Sequence, residues 1–298
     1  NFTPVWIYLI NQKRFVDAEH IWKESLDIAL EWEKERELRV HKGTSYYFWA
    51  VTCFLNEDIE KGFWLMNQSL IEDIMSFGEQ EPTPARFFLY FDENPQQQFF
   101  RSKLSEIKYF LNKNLIENYS SSRSRTFDYN LFENKFLKNP QIMKEVKFHF
   151  NLNIFRLERI LKQTKPDERN TIASLLYLEI IFDLCRVFEY LIKNQKRDNF
   201  LEDIKDLAKK NDVRTIIQKI NSSDFHTNNF INTLVVILNN NFKVDRNLPN
   251  DLEKDVLITY GFRNFGAHKI EENRLIVNNF ENIIKSIINS IFLAIELR

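Results

Sequence analysis

The sequence predicts an all-α protein in two parts, with helical hairpins toward the N-terminus and an up-and-down helical bundle toward the C-terminus. Three observations predict it. Only 5 Gly and 7 Pro occur in 298 residues, and both residues break helices, so long helices with few tight turns are expected. Apolar residues recur mostly at helical rather than alternating spacing, which is the mark of amphipathic helices. No β-branched strand run alternates with helices, which argues against a parallel sheet. With 44% hydrophobic and 14% aromatic residues, the chain has ample material for real cores.

The first elements form pairs. A helix over Val5 to Lys13 is followed by one from Phe15, and a helix over Tyr46 to Leu55 by one from Ile59. FVDAEHIWKESL (Phe15 to Leu26) aligns with IEKGFWLMNQSL (Ile59 to Leu70) at an offset of 44 residues. Small Ala18 matches Gly62, Ile21 matches Leu65, and Ser25-Leu26 match Ser69-Leu70. Small residues suit places where paired helices approach closely. Helix pairs recurring along a chain indicate a helical solenoid. The stretch YFWAVTCFLNEDIEKGFWLMNQSLIED resembles tetratricopeptide-like repeats in its rhythm of aromatic and small residues. The resemblance covers about Val5 to Met75, although the offset exceeds that family's usual period of about 34. The charged run EWEKERELRVHK extends the second helix of the first pair.

Gly78 to Phe100 carries Pro82, Pro84 and Pro95 and reads as an irregular connection with short helical or extended pieces. Ser102 to Leu115 reads as an amphipathic helix. NYSSSRSRTFDY (Asn118 to Tyr129) is polar and Ser-rich and marks a linker. The expected division is therefore residues 1–117 as the repeat region, 118–143 as a linker and 144–298 as the bundle. In the bundle, Asn139 to Lys165 places Val146, Phe150, Ile154, Leu157 and Leu161 at helical spacing. A long helix starts from Asp167, and shorter ones follow over Phe200 to Lys209, Val213 to Ile220 and Asp224 to Asn239. Asp251 is expected to cap a helix ending near Phe262, with the last helix over Asn279 to Glu296.

Net charge is −1 and the pI about 6.6, so the chain lacks the global basic field of nucleic-acid coating proteins, and binding RNA would require a local groove. Cys53 and Cys185 lie in apolar helical patterns and read as reduced, buried thiols of a cytoplasmic protein, without metal spacing. No signal peptide is legible. The most apolar run, Ile283 to Ile295, includes Lys285, Ser286, Asn289 and Ser290, which suits a core helix better than a membrane span.

The chemistry-bearing run is YGFRNFGAHKI, Tyr260 to Ile270. Arg263 and His268 are five apart, Asn264 follows the Arg, and Gly266-Ala267 mark an expected helix break. Arg14 to His20 and Arg36 to His41 have comparable spacing, but lack the Asn and lie inside the hairpin helices. A plain reading of the run is a helix C-terminus with Gly at the turn and His against the helix dipole. The conjunction of Arg, Asn, Gly-Ala and His late in an α-bundle resembles the HEPN family of helical-bundle ribonucleases, over about Lys144 to Arg298. That resemblance implies a motif at the start of a late helix and a composite site in which two bundles of a homodimer pool their motifs.

It also implies metal-independent, cofactor-free RNA cleavage through Arg263, His268 and Asn264. His268 titrates near neutrality and can act as base or acid. Arg263 can grip phosphate through two donors, Asn264 can orient His268 or the phosphate, and Gly266 allows close backbone approach. The family often adds a polar or acidic residue from an earlier helix. Glu189 in RVFEYL is the candidate, pairing with Arg263, while a salt-bridged structural acid is the other reading. Glu179, Asp183 and Arg186 share its helix, with Glu179 and Arg186 on one face. Tyr260 and Lys269 are candidate RNA contacts, as are Arg274, Lys243, Arg246 and Phe265; His226 and His149 read as surface or core residues.

The implied biological setting is a bacterial toxin or anti-phage defence effector, with the N-terminal repeats binding a protein partner or regulator. Two other readings compete: a non-catalytic interaction and dimerisation protein, and a HEPN partner modified by a nucleotidyltransferase.

Overall fold

Hairpin turns built from a single repeated hydrogen-bond pattern organise the N-terminal part. The computed structural model of the protein describes residues 2–79, 81–92, 98–163, 166–167, 171–193, 199–210, 251–269 and 273–298. Among them every regular element is helical. The chain divides into two units, Asn1–Lys108 and Tyr109–Arg298.

The first unit opens with α1 (Thr3–Asn11), α2 (Phe15–Arg36), α3 (Gly43–Leu55) and α4 (Ile59–Phe77). In the α1–α2 turn, the backbone N–H groups of Gln12, Lys13, Arg14 and Ala18 donate to Tyr8, Ile10, Leu9 and Arg14. In the α3–α4 turn, those of Asn56, Glu57, Asp58 and Gly62 donate to Thr52, Phe54, Cys53 and Asp58. Each pair in the second turn is its counterpart moved along by the sequence offset. Lys13 and Glu57, the second residue of each turn, both adopt positive φ, 55° and 60°. The duplication legible in the sequence is thus a duplication of turn geometry.

Side-chain volume explains the one exchange at the close approach. A methyl group on Gly62 would lie 2.9–3.1 Å from the Phe54 ring. The equivalents of Phe54 and Gly62 in the first hairpin are Ile10 and Ala18, so the larger ring is matched by the absence of a methyl. Phe54 packs against Phe63, Phe88 and Phe100 at centroid separations of 5.1–5.3 Å. Phe88 belongs to α5 (Pro84–Leu89) and Phe100 to α6 (Gln98–Phe110). The residues between α2 and α3 are tied down by side-chain pairs: Lys42 to Glu33 at 2.5 Å, Arg39 to Glu72 at 3.2 Å and a hydrogen bond of His41 with Asp73 at 2.9 Å.

In the second unit a π-helical segment (Leu111–Ile116) leads into α7 (Glu117–Ser122). There follow α8 (Tyr129–Phe132), a π-helical segment (Glu133–Leu137), α9 (Lys144–Lys162), α10 (Thr171–Ile192), α11 (Phe200–Ala208), α12 (Asp251–Lys269) and α13 (Asn273–Glu296). Every residue from Ser286 to Ile295 of α13 is buried, the polar Ser286, Asn289 and Ser290 among them. α10 and α12 lie along it, and α8 and both π-helical segments also touch it. No described helix is long and apolar enough to cross a membrane.

Residues 118–143, expected as a linker, belong to this core, and the unit boundary falls earlier than 117/118. Tyr119 and Phe127 pack on Phe292, and Phe132 contacts both Phe292 and Phe150. The Tyr119 hydroxyl donates to Glu296 at 2.8 Å, and Arg125 pairs with the same carboxylate at 2.9 Å. Lys135 donates to the Glu296 carbonyl at 2.7 Å, a cation placed at a helix C-terminus. The Ser-rich composition conceals this because the hydroxyls bond locally while the spaced aromatics face inward. The expected helices over Val213 to Ile220 and Asp224 to Asn239, and the turn at Val244 to Asn250, lie outside the described residues. Leu161, expected on the apolar face of α9, is 41% exposed.

A largely buried polar network joins Arg123, just beyond α7, to α12 and α13. Arg123 donates to both oxygens of Asp255 at 2.7 and 3.1 Å, and Asn289 donates to the same carboxylate at 2.9 Å. Thr259 meets Ser290 at 2.9 Å. Burial pushes the Asp255 carboxyl upward, against the lowering by its hydrogen bond from Arg123.

Two measurements test this packing. Gly62→Ala is expected to cost about 1–3 kcal/mol, read as a lower urea midpoint, because the Phe54 ring is walled in by other aromatics. Arg123→Ala is expected to cost about 3–5 kcal/mol at neutral pH by stranding a buried carboxylate. A group with a raised folded pKa stabilises the fold at low pH and loses that contribution as pH rises. The cost of Arg123→Ala should therefore shrink as pH falls and Asp255 takes up a proton; an equal cost at neutral and at acid pH refutes the account.

Candidate functional site

Arg263 lies on α12, Glu189 on α10 and Phe200 at the start of α11. The Arg263 Nε donates to Glu189 Oε2 at 2.5 Å and Nη2 donates to Oε1 at 2.9 Å. This is a side-on bidentate pair, the strongest geometry available to Arg and a carboxylate. The hydrogen bond that it donates to Glu189 raises the Arg263 pKa further above its ordinary value, so the group is permanently cationic. The side chains keep 37% and 24% of their exposure. The pair uses one edge of the guanidinium and leaves the remaining donors for a second anion.

The helices align to make this contact. Cys185 Sγ sits 3.7 Å from the Thr259 carbonyl. Glu189 is one turn beyond Cys185, and Arg263 is one turn beyond Thr259, so the buried Cys185 contact sets the two charges opposite each other. Burial pushes the Cys185 thiol far up, with Arg263 opposing and Glu189 adding to the shift. It is a packing residue.

Phe200 completes the surroundings. The Arg263 guanidinium carbon lies 5.6 Å from its ring centroid. The ring stacks on Tyr260 at 5.8 Å with an interplanar angle of 17°, and meets Phe188 edge-on at 6.3 Å. Asn264 hydrogen-bonds the Tyr260 side chain, whose phenol is pushed up by burial. Tyr260, read from sequence as a contact for RNA, is only 8% exposed. Its ring is part of the wall behind Arg263 rather than an open stacking surface, because α11 covers it.

The motif does not sit at a helix break. α12 continues through Gly266 and Ala267 to Lys269, so the motif occupies the C-terminal turns of a helix and not the start of one. A single Gly costs a helix only about 1 kcal/mol, and Arg263 is anchored from outside. α13 likewise begins at Asn273, earlier than expected. Positions 263 and 268 therefore share one helix, roughly 7.5 Å apart along its axis. The side chains of Phe265, His268, Lys269 and Arg274 lie outside the described residues, as do any side-chain surroundings of Gly266, and Lys243, Arg246 and His226 lie outside them altogether. His149 is exposed. Glu179 does not turn to Arg186 on its own helix; it pairs with Arg156 of α9 at 3.2 Å, which Asp183 also approaches at 3.6 Å.

Sequence reading did not find Phe200 as a member of the site. Its one local signal is Asn199, whose side chain accepts from the N–H groups of Leu201 and Glu202 and so caps α11. No family model, curated protein or solved structure matches the chain.

Because the Arg263–Glu189 pair is partly solvated, Glu189→Ala is expected to lower stability by no more than about 1 kcal/mol. A urea midpoint shift worth several times that would show the pair to be chiefly a structural brace.

Proposed function

We propose that the protein is a metal-independent endoribonuclease of the HEPN type, with Arg263 and His268 as its catalytic residues. The observation that supports it is the setting of Arg263: a cation held by Glu189, partly open to solvent, with Asn264 next to it and His268 on the same helix. Such a group suits the charge that builds on a phosphorane during attack by a ribose 2′-hydroxyl. In this reading His268 removes the 2′-hydroxyl proton as the oxygen attacks phosphorus. The 5′-oxygen leaves with a proton supplied by a second acid, His268 of another copy. The products are a 2′,3′-cyclic phosphate end and a 5′-hydroxyl end. One Arg and one His supply few groups, which favours a homodimer that pools two motifs through the second unit.

Such an enzyme in the cytoplasm is held in check, and the helical hairpins of the first unit suit a protein partner or regulator. A bacterial toxin or anti-phage defence effector is the role that fits these parts. The test is incubation of the purified protein with RNA in EDTA beside Arg263→Ala and His268→Ala. The expected outcome is cleavage to cyclic-phosphate ends by the wild type and a loss of at least about 100-fold in each variant. Equal cleavage by all three removes the site, and a requirement for added metal removes the mechanism.

A further inference from the structure

We propose that Phe200 is a positioning residue which, with Glu189, fixes the plane of the Arg263 guanidinium so that a phosphate is met end-on, by Nη1 and Nη2 together. The inference deepens the ribonuclease reading and rests on it for the substrate, whereas the clamp is a matter of three side chains. Glu189 occupies the edge formed by Nε and Nη2. Two parallel hydrogen bonds stop the planar group from turning within its own plane. They do less against tilting out of that plane. The Phe200 ring, 5.6 Å from the guanidinium carbon, supplies that restraint through the attraction of a cation to a π-face.

Phe200 is itself held. It is stacked on Tyr260 and met edge-on by Phe188, and it forms the first residue of α11, directly after the capping Asn199. Tyr260 and Arg263 are three apart on α12, so the ring and the cation it restrains are referred to the same helix. With one edge bonded to carboxylate and a ring against it, the guanidinium offers hydrogen bonds through its Nη1–Nη2 end. Two phosphate oxygens match that fork, and a Lys at this position has no such fork to offer.

The test uses the full 298-residue chain and two readouts: the NMR signals of the Arg263 guanidinium, assigned with Arg263→Lys, and steady-state RNA cleavage. In the wild type, separate Nη1 and Nη2 signals are expected, reporting slow rotation. Added inorganic phosphate should move these signals and leave the Nε–H signal bonded to Glu189 in place. Phe200→Leu should average the Nη signals and lower kcat about fivefold. The salt dependence of KM should not change, because no charge is removed. Phe200→Tyr should restore both readouts. Averaged Nη signals in the wild type overturn the proposal without recourse to any variant. A Phe200→Leu protein with wild-type Nη signals or wild-type kcat also overturns it. If the wild type cleaves no RNA, the ribonuclease reading falls, and the response of Arg263 to inorganic phosphate decides the clamp alone.

Discussion

From Ser286 to Ile295 the last helix has no side facing water, and the second unit is arranged around that fact. A stretch buried all round has to be enclosed on every side, and α10, α12, α8 and both π-helical segments are packed against α13. Apolar burial has no preferred direction and does not set how far one helix slides along another. The few polar groups on α13 do. Asn289 donates to Asp255, Ser290 meets Thr259, and Asp255 in turn takes Arg123 from just beyond α7. The bonds to Asp255 are costly to leave unmade in a buried place, so they fix the register of α12, and the Thr259–Ser290 contact agrees with it.

The candidate site follows from that register. Thr259, held against Ser290, also presents its carbonyl to Cys185. One turn further along each helix stand Arg263 and Glu189. The ion pair is thus placed by a buried hydroxyl and a buried thiol that take no part in it. The expense of bringing the charges together is met in the core, while the pair itself remains partly solvated and modest in energy. A cation so held keeps its direction without being buried, and this is the property that supports reading it as an anion-binding group.

The first unit shows a different economy. Its two hairpins repeat the same turn, down to the hydrogen-bond partners and the positive φ at Lys13 and Glu57. Side chains differ around that backbone, with Phe54 and Gly62 in one hairpin answering to Ile10 and Ala18 in the other. Volume is conserved across the close approach rather than identity, as close-packed interiors require.

Helix content, the repeat offset and the approximate helix limits were legible in the sequence because each depends on residues within a turn or two of one another. The pairing of Glu189 with Arg263 was suggested by the family resemblance, with the cost of burying an acid on an apolar helix as its support in the residues. Only tertiary structure decided that α12 runs on through Gly266, that Asn118 to Tyr129 joins the core, and that Phe200 covers Tyr260 and meets Arg263. At Asn118 to Tyr129 composition pointed one way and contacts from elsewhere in the chain reversed it. A glycine weakens a helix by little, and a Ser-rich run can still place Tyr119 and Phe127 inward. Local preferences of this size are outweighed once α13 is enclosed, because its burial and its polar partners act between residues far apart in the chain.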